Sequence, residues 1–157
     1  MLTQPTVDKL NSMRLRAMAQ AWEMQQTHSG YLEMGFDERL GLLVDAEFED
    51  REGRSLKRRL RDAKLRISDA CLEDIHYDPR RNLDRGLITQ LQSCKWIDQH
   101  RCVILTGATG VGKTYLSSAL GQQACRRGYR VLYARLPRLL DGLTMAHADG
   151  SFARLLA

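Results

Sequence analysis

The stretch from Leu105 to Leu116, LTGATGVGKTYL, constrains the fold of this chain more than any other. Gly107, four residues, Gly112, Lys113 and Thr114 satisfy G-x-x-x-x-G-K-[ST] in full. Glycines let successive backbone N–H groups turn inward toward phosphate oxygens, and the positive end of the following helix adds its own attraction for an anion. A lysine at position 113 reaches the β- and γ-phosphates as a point charge, and the Thr114 hydroxyl takes one place on Mg²⁺. The expected nucleotide site is therefore Gly107, Ala108, Thr109, Gly110, Val111, Gly112, Lys113 and Thr114, with Thr114 as the metal contact.

So short a motif needs the right surroundings, and the flanking sequence supplies them. Cys102 to Thr106, CVILT, is apolar and rich in β-branched residues, as expected of a strand buried on both faces. Leu116, Ala119 or Leu120, and Ala124 then recur at helical spacing, and Arg126-Arg127-Gly128 reads as a helix stop. A second strand is expected over Arg130 to Ala134, RVLYA. The order strand, glycine loop, helix, strand predicts a parallel α/β core.

The first half reads as helices. Leu10, Met13, Ala17, Ala21 and Met24 step by three or four from a helix start at Thr6 until Ser29-Gly30. A second helix is expected from Asp37, with Leu40, Leu43, Val44 and Phe48 on one side, and a third over about 55–67, with Leu56, Leu60, Ala63 and Ile67 as its stripe. Packed together they make a small helical domain. Residues 72–86, LEDIHYDPRRNLDRG, lack periodicity and contain Asp78-Pro79, so they read as a connection. A helix from about Leu87 to Ile97 leads into the first strand, and Pro137 opens a further helix. The expected organisation is a helical domain at 1–71, a linker at 72–86 and a nucleotide-binding domain at 87–157.

Composition narrows the function classes. No apolar run approaches the length of a membrane span, and the N-terminus lacks the basic-then-apolar pattern of a secretory signal, which points to the cytoplasm. Cys71, Cys94, Cys102 and Cys125 form no C-x-x-C pair, which suits reduced thiols, and Cys94, His100 and Cys102 lack a fourth ligand at metal-site spacing. The net charge of +5 is unevenly spread: residues 1–50 hold 4 Lys/Arg and 9 Asp/Glu, a net of −5, which leaves +10 for the rest. That excess points to a polyanion.

Its densest source is residues 51–66, REGRSLKRRLRDAKLR, with eight Lys/Arg against two acids. Such a helix lines the phosphates of a nucleic-acid backbone, with Arg54, Lys57, Arg58, Arg59, Arg61, Lys64 and Arg66 as the contacts. Alternatively it is a solvated face paired with Glu47, Glu49 and Asp50 in the same chain, and charge alone does not choose between the two. Without interleaved aromatic residues, backbone contact to duplex is favoured over base stacking. Arg126, Arg127, Arg130, Arg135 and Arg138 form a second basic set.

Taken together, FDERLGLLVDAEFEDREGRSLKRRLRDAKL and CVILTGATGVGKTYLSSALGQQACRRGYRVLYARLPRLL resemble the IstB-type helper ATPases of insertion sequences, relatives of the DnaC-type helicase loaders in the AAA+ class. The resemblance implies an all-helical N-terminal domain followed by a partial P-loop (AAA+) parallel α/β core. It also implies ATP and Mg²⁺ as cofactors, oligomerisation on double-stranded DNA, and assistance to a transposase in DNA recombination. The Walker B acids, sensor residues and arginine finger of that family do not occur in the 43 residues after Thr114, and Asp141 and Asp149 do not end an apolar strand. The expectation is a truncated member that holds ATP but has no catalytic residues with which to hydrolyse it alone. Two other readings stay open: a helical module that binds transposase or DNA without nucleotide, and a DnaC-like helicase loader.

Overall fold

A computed structural model of the chain describes residues 3–31, 33–78 and 83–156. Its helices are α1 (Thr3–Ser12), α2 (Arg16–Thr27), α3 (Phe36–Ala63), α4 (Arg85–Gln92), α5 (Lys95–Asp98), α6 (Lys113–Arg126), α7 (Leu136–Ala148) and α8 (Phe152–Leu156), with a 3₁₀ turn at Ser29–Tyr31. They fall into two compact units, Met1–Lys57 and Arg58–Ala157.

In the first unit, the helix expected from Thr6 to Met24 is two helices. Arg14 has φ 62°, Leu15 N–H donates to Leu10 O at 2.9 Å, and Arg14 N–H donates to Asn11 O at 3.0 Å. This pattern of a left-handed residue and paired backward bonds closes α1. The helices expected from Asp37 and over 55–67 are, in contrast, one helix, α3, which runs through Gly53 and ends at Ala63. Glu47–Arg51 at 2.8 Å and Asp50–Arg54 at 2.7 Å bridge the expected gap at i, i+4. Acid-before-base pairs at that spacing each give about 0.2–0.5 kcal/mol, against about 1 kcal/mol for a helical glycine.

The packed face of α3 here is Leu43 and Glu47; Leu40, Val44 and Phe48, expected with Leu43, are exposed, Phe48 by 65%. Met13 and Met24 are exposed as well, and Val7, Ala19 and Gln25 are buried. Two polar contacts fix α2 against α3. Gln25 donates from Nε2 to Arg39 O at 2.9 Å and accepts from Arg39 Nε at 3.2 Å. Glu47 Oε2 accepts from Ala17 N–H at 3.1 Å and Met18 N–H at 3.3 Å, serving as the cap that α2's own sequence lacks, since Leu15 occupies the N-cap position.

The second unit is built on Ala70, Leu72, Ile88, Leu91, Ala119 and Leu120, with Ile75, Tyr77 and Leu83 of the irregular segment packed against them. The Pro79 part of the expected connection lies outside the described residues. The expected helix over 87–97 is α4 and α5, separated at Cys94, which has φ 58°. Pro137 sits in the first turn of α7, as its fixed φ favours.

The main correction is to the fold class. Among the described residues there is no strand, and the expected parallel α/β core is absent. Val103, Leu105, Val131 and Tyr133 are half-buried, while Ile104 and Leu132 are 83% and 67% exposed. The alternation of period two survives, but one face is open where a strand buried on both sides was expected. A strand exists only as one rail of a hydrogen-bonded ladder, and among the described residues neither segment has a second rail. The Tyr133 N–H, which a ladder would use, donates instead to Ala63 O at the end of α3, at 2.8 Å.

Candidate functional site

The glycine loop lies between the half-buried segment around Val103 and Leu105 and the start of α6. Gly107, Gly110 and Gly112 have φ of 145°, 85° and 93°, conformations that L side chains rarely adopt. A Cβ built on Gly107 would also come within 3.3 Å of Val111 Cγ2. Gly112 is the N-cap residue of α6 without a side-chain cap, so the first-turn N–H groups of the helix meet no capping side chain there.

Lys113 folds back over this loop. Its Nζ donates to Gly107 O at 2.8 Å and to Ala108 O at 2.6 Å, which places the ammonium at the loop's carbonyls beside the helix terminus. Thr114 is exposed on the first turn. The positive-φ glycines, the helix N-terminus without a side-chain cap and the ammonium lie together at this loop, and these are the elements a phosphate cradle is built from. The exposed Thr114 hydroxyl is an oxygen donor of the kind that would fit a phosphate-borne Mg²⁺. Among the described residues, no three His, Cys, Asp or Glu side chains gather into a metal site of their own.

The helix carrying the cradle is firmly held. Ser118, Ala119, Leu120, Gln122, Gln123, Ala124 and Cys125 are buried. In its first turn the Tyr115 hydroxyl accepts from Cys71 N–H at 3.3 Å and donates to Cys71 O at 3.2 Å. At its far end, Tyr129 N–H reaches Ala124 O at 3.0 Å across Gly128, which has φ 96°, the stop read in the sequence. Burial pushes the Cys125 and Cys94 thiols up from the usual range, so both are held as neutral core thiols.

The basic run divides by what each side chain touches. Arg54 pairs with Asp50 at 2.7 Å and Glu47 at 3.5 Å, as the solvated-face reading anticipates. Arg61 lies 3.0 Å from Asp62, both exposed. Arg59 turns inward and donates from Nε to Cys125 O at 2.9 Å. Lys57, Arg58, Lys64 and Arg66 are exposed, and among the described residues no ion pair engages them. In the second set, Arg126 pairs with Glu73 at 2.9 Å, and Arg127, Arg130, Arg135 and Arg138 are exposed.

Sequence reasoning named Glu47 as an acid partner of the basic run but missed its capping of α2 and the roles of Gln25 and Arg59, since these contacts span 14 to 66 positions and no local pattern marks them. Of the two acids after the loop, Asp149 is occupied with Ser151, accepting from its N–H at 2.9 Å and its hydroxyl at 2.6 Å, and these bonds hold its carboxyl below the usual range. Asp141 is exposed on α7.

The family model for the IstB-like ATP binding protein matches residues 8–157. The chain is 50% identical over 156 residues to the ATP-binding protein of insertion sequence IS1162 from Pseudomonas fluorescens, covering 99% of this chain and 68% of that protein. It is 44% identical to an insertion sequence ATP-binding protein of Sinorhizobium fredii, covering 99% of this chain and 63% of the relative. It is 34% identical to an insertion sequence ATP-binding protein of Mycobacterium tuberculosis, covering 92% and 57%. The chain thus spans between 57% and 68% of the length of these relatives.

Proposed function

The chain belongs to the IstB-like ATP binding protein family, and on that premise we propose that it is an ATP-binding helper of insertion-sequence transposition that also binds double-stranded DNA and assists a transposase. The observation that carries the nucleotide half is the cradle: three glycines with positive φ, closed by Lys113 over the Gly107 and Ala108 carbonyls at the start of α6. Backbone N–H groups from Gly110 to Thr114 take the phosphate oxygens, and Lys113 leaves its two carbonyls for the β- and γ-oxygens. Thr114 Oγ1 would hold a phosphate-borne Mg²⁺, which would supply positive charge to the phosphates.

On this reading the chain binds without hydrolysing by itself. Lowering the barrier to phosphoryl transfer takes a residue that orients water and charges that stabilise the transition state, beyond a cradle and one metal ligand. Asp149 is committed to Ser151 and does not supply such a group. DNA binding is assigned to the exposed part of the basic run, Lys57, Arg58, Arg61, Lys64 and Arg66; Arg54 is largely neutralised by Asp50 and Glu47. No helix among the described residues is long and apolar enough to cross a membrane.

Isothermal titration of the chain with ATP and Mg²⁺ tests the reading. Saturable one-site binding is expected, with loss in Lys113→Ala; equal binding by both proteins would sink it.

A further inference from the structure

Arg59 stands in the middle of the basic run, yet its guanidinium is spent on a different face of α3 from Arg58 and Arg61. At 100° per residue, Arg59 and Ala63 share a face, and Arg58 and Arg61 lie on others. That shared face closes on the far half of the phosphate-loop helix. Arg59 Nε donates to Cys125 O at 2.9 Å. Ala63 is fully buried, and its carbonyl accepts from Tyr133 N–H. Leu65 lies directly on the α6 backbone, so close that a Cβ on Gly121 would come within 2.9 Å of Leu65 Cδ2 and 3.4 Å of Val131 Cγ1.

Two contacts, from Arg59 and Leu65, therefore seat the end of α3 and the residue after its turn on Gly121–Cys125, and a third ties the Ala63 carbonyl to Tyr133, beyond α6. The other end of the same rigid helix bears Lys113 and Thr114, twelve residues or about 18 Å away. The bond from Arg59 also places a cation at the negative end of the α6 dipole, whose positive end faces the nucleotide.

We propose that Arg59 is a positioning residue for the phosphate loop, and not a nucleic-acid contact: it clamps the C-terminal end of α6 and so sets where the loop at the other end presents its donors. The proposal rests on the nucleotide and DNA reading above. It divides the run of like residues into two jobs, with Arg58 and Arg61 facing the polyanion and Arg59 facing the protein.

Two titrations of the full chain separate the roles. The first measures affinity for a fluorescent ATP analogue with Mg²⁺. The second measures affinity for a duplex of about thirty base pairs between about 50 and about 200 mM salt, where each lost phosphate contact lowers the log–log slope by about 0.9. Arg59→Lys keeps the charge and breaks the planar fork, and Gly121→Ala disturbs the same joint through Leu65 without touching charge. Both are expected to weaken analogue binding by roughly 2- to 30-fold, the range over which residues along a packed connection modulate a distant site. Arg59→Ala is expected to leave the salt slope unchanged, whereas Arg58→Ala lowers it. If Arg59→Ala does not fold, Arg59→Lys and Gly121→Ala carry the test through the analogue.

Unchanged analogue affinity in Arg59→Lys and Gly121→Ala overturns the proposal, as does a slope in Arg59→Ala reduced like that of Arg58→Ala. Either result leaves the functional reading standing when the unmodified chain binds both ligands. An unmodified chain that binds neither overturns the reading and the proposal together.

Discussion

Replacing Glu47 should loosen the first unit far more than replacing any acid on its surface. Glu47 is 5% exposed, and its carboxylate has four partners: Ala17 N–H, Met18 N–H, Arg51 and Arg54. The two N–H groups are orphans of the first turn of α2, and losing such a cap costs about 0.5–2 kcal/mol. A buried group left without its charged partner costs about 1–3 kcal/mol. The arginine contacts add only a few tenths, because the Arg51 and Arg54 side chains are 56% and 52% exposed. Glu47→Ala should therefore lose about 2–4 kcal/mol, a large part of the stability of a unit this small. Glu47→Gln keeps an oxygen for the N–H donors and loses only the charge, about 1 kcal/mol.

Urea unfolding read by Trp22 fluorescence, in a Trp96→Phe background, reports on this unit. With a slope of about 1 kcal/mol per molar urea, the midpoint falls by about 2–4 M for Glu47→Ala and about 1 M for Glu47→Gln. The pH dependence has a fixed sign. The Arg51 hydrogen bond and the Met18 and Ala17 N–H groups hold the Glu47 carboxyl below its ordinary range, outweighing the opposing effect of burial. Its stabilisation is thus complete above the unfolded carboxyl's range and is lost as pH falls through the lowered folded value. Glu47→Gln should flatten that acid limb. A Glu47→Ala midpoint within about 0.5 M of the unmodified chain would refute the capping argument.

Two further substitutions bear on α6 and its loop. Gly107→Ala forces a side chain into φ 145° and against Val111, a strain of about 1–3 kcal/mol, so ATP binding should weaken by about 5- to 150-fold in titration, and unchanged affinity contradicts the cradle geometry. Ser118 is fully buried, and its Oγ has no hydrogen-bond partner among the described residues, so Ser118→Ala should raise the thermal midpoint by an amount worth about 1 kcal/mol; a lowered midpoint would show that the hydroxyl has a stabilising contact.

The backbone of the glycine loop and the helix that follows it were more legible in the sequence than the fold around them. Gly107, Gly112, Lys113 and Thr114 announce themselves because backbone sign, charge and hydroxyl are all local demands, met within eight residues. The stop at Gly128 is equally local. The stops at Arg14, Cys94 and His100 are not, because residues with side chains adopt the left-handed conformation there and nothing in their identity says so. The two expected helices join into α3 with the Glu47–Arg51 and Asp50–Arg54 pairs, the second spanning Gly53, offsetting part of the cost of a helical glycine. The strands failed for a different reason. CVILT and RVLYA carry a strand's alternation, but a strand also needs a neighbour, and the neighbour that Tyr133 N–H found is the carbonyl of Ala63. The basic run was legible as charge and illegible as function, because Arg59 and Arg58 are the same residue type, yet Arg59 turns inward to Cys125 O while Arg58 is exposed.

The central claim is that the backbone from Gly110 to Thr114 receives phosphate, and an ¹⁵N-resolved NMR titration with ATP and Mg²⁺ tests it most directly. The expected result is that the amide signals of Gly110, Gly112, Lys113 and Thr114 move first and furthest, and that Lys113→Ala abolishes the movement. Amide signals in the loop that stay still while ATP saturates the chain would contradict it.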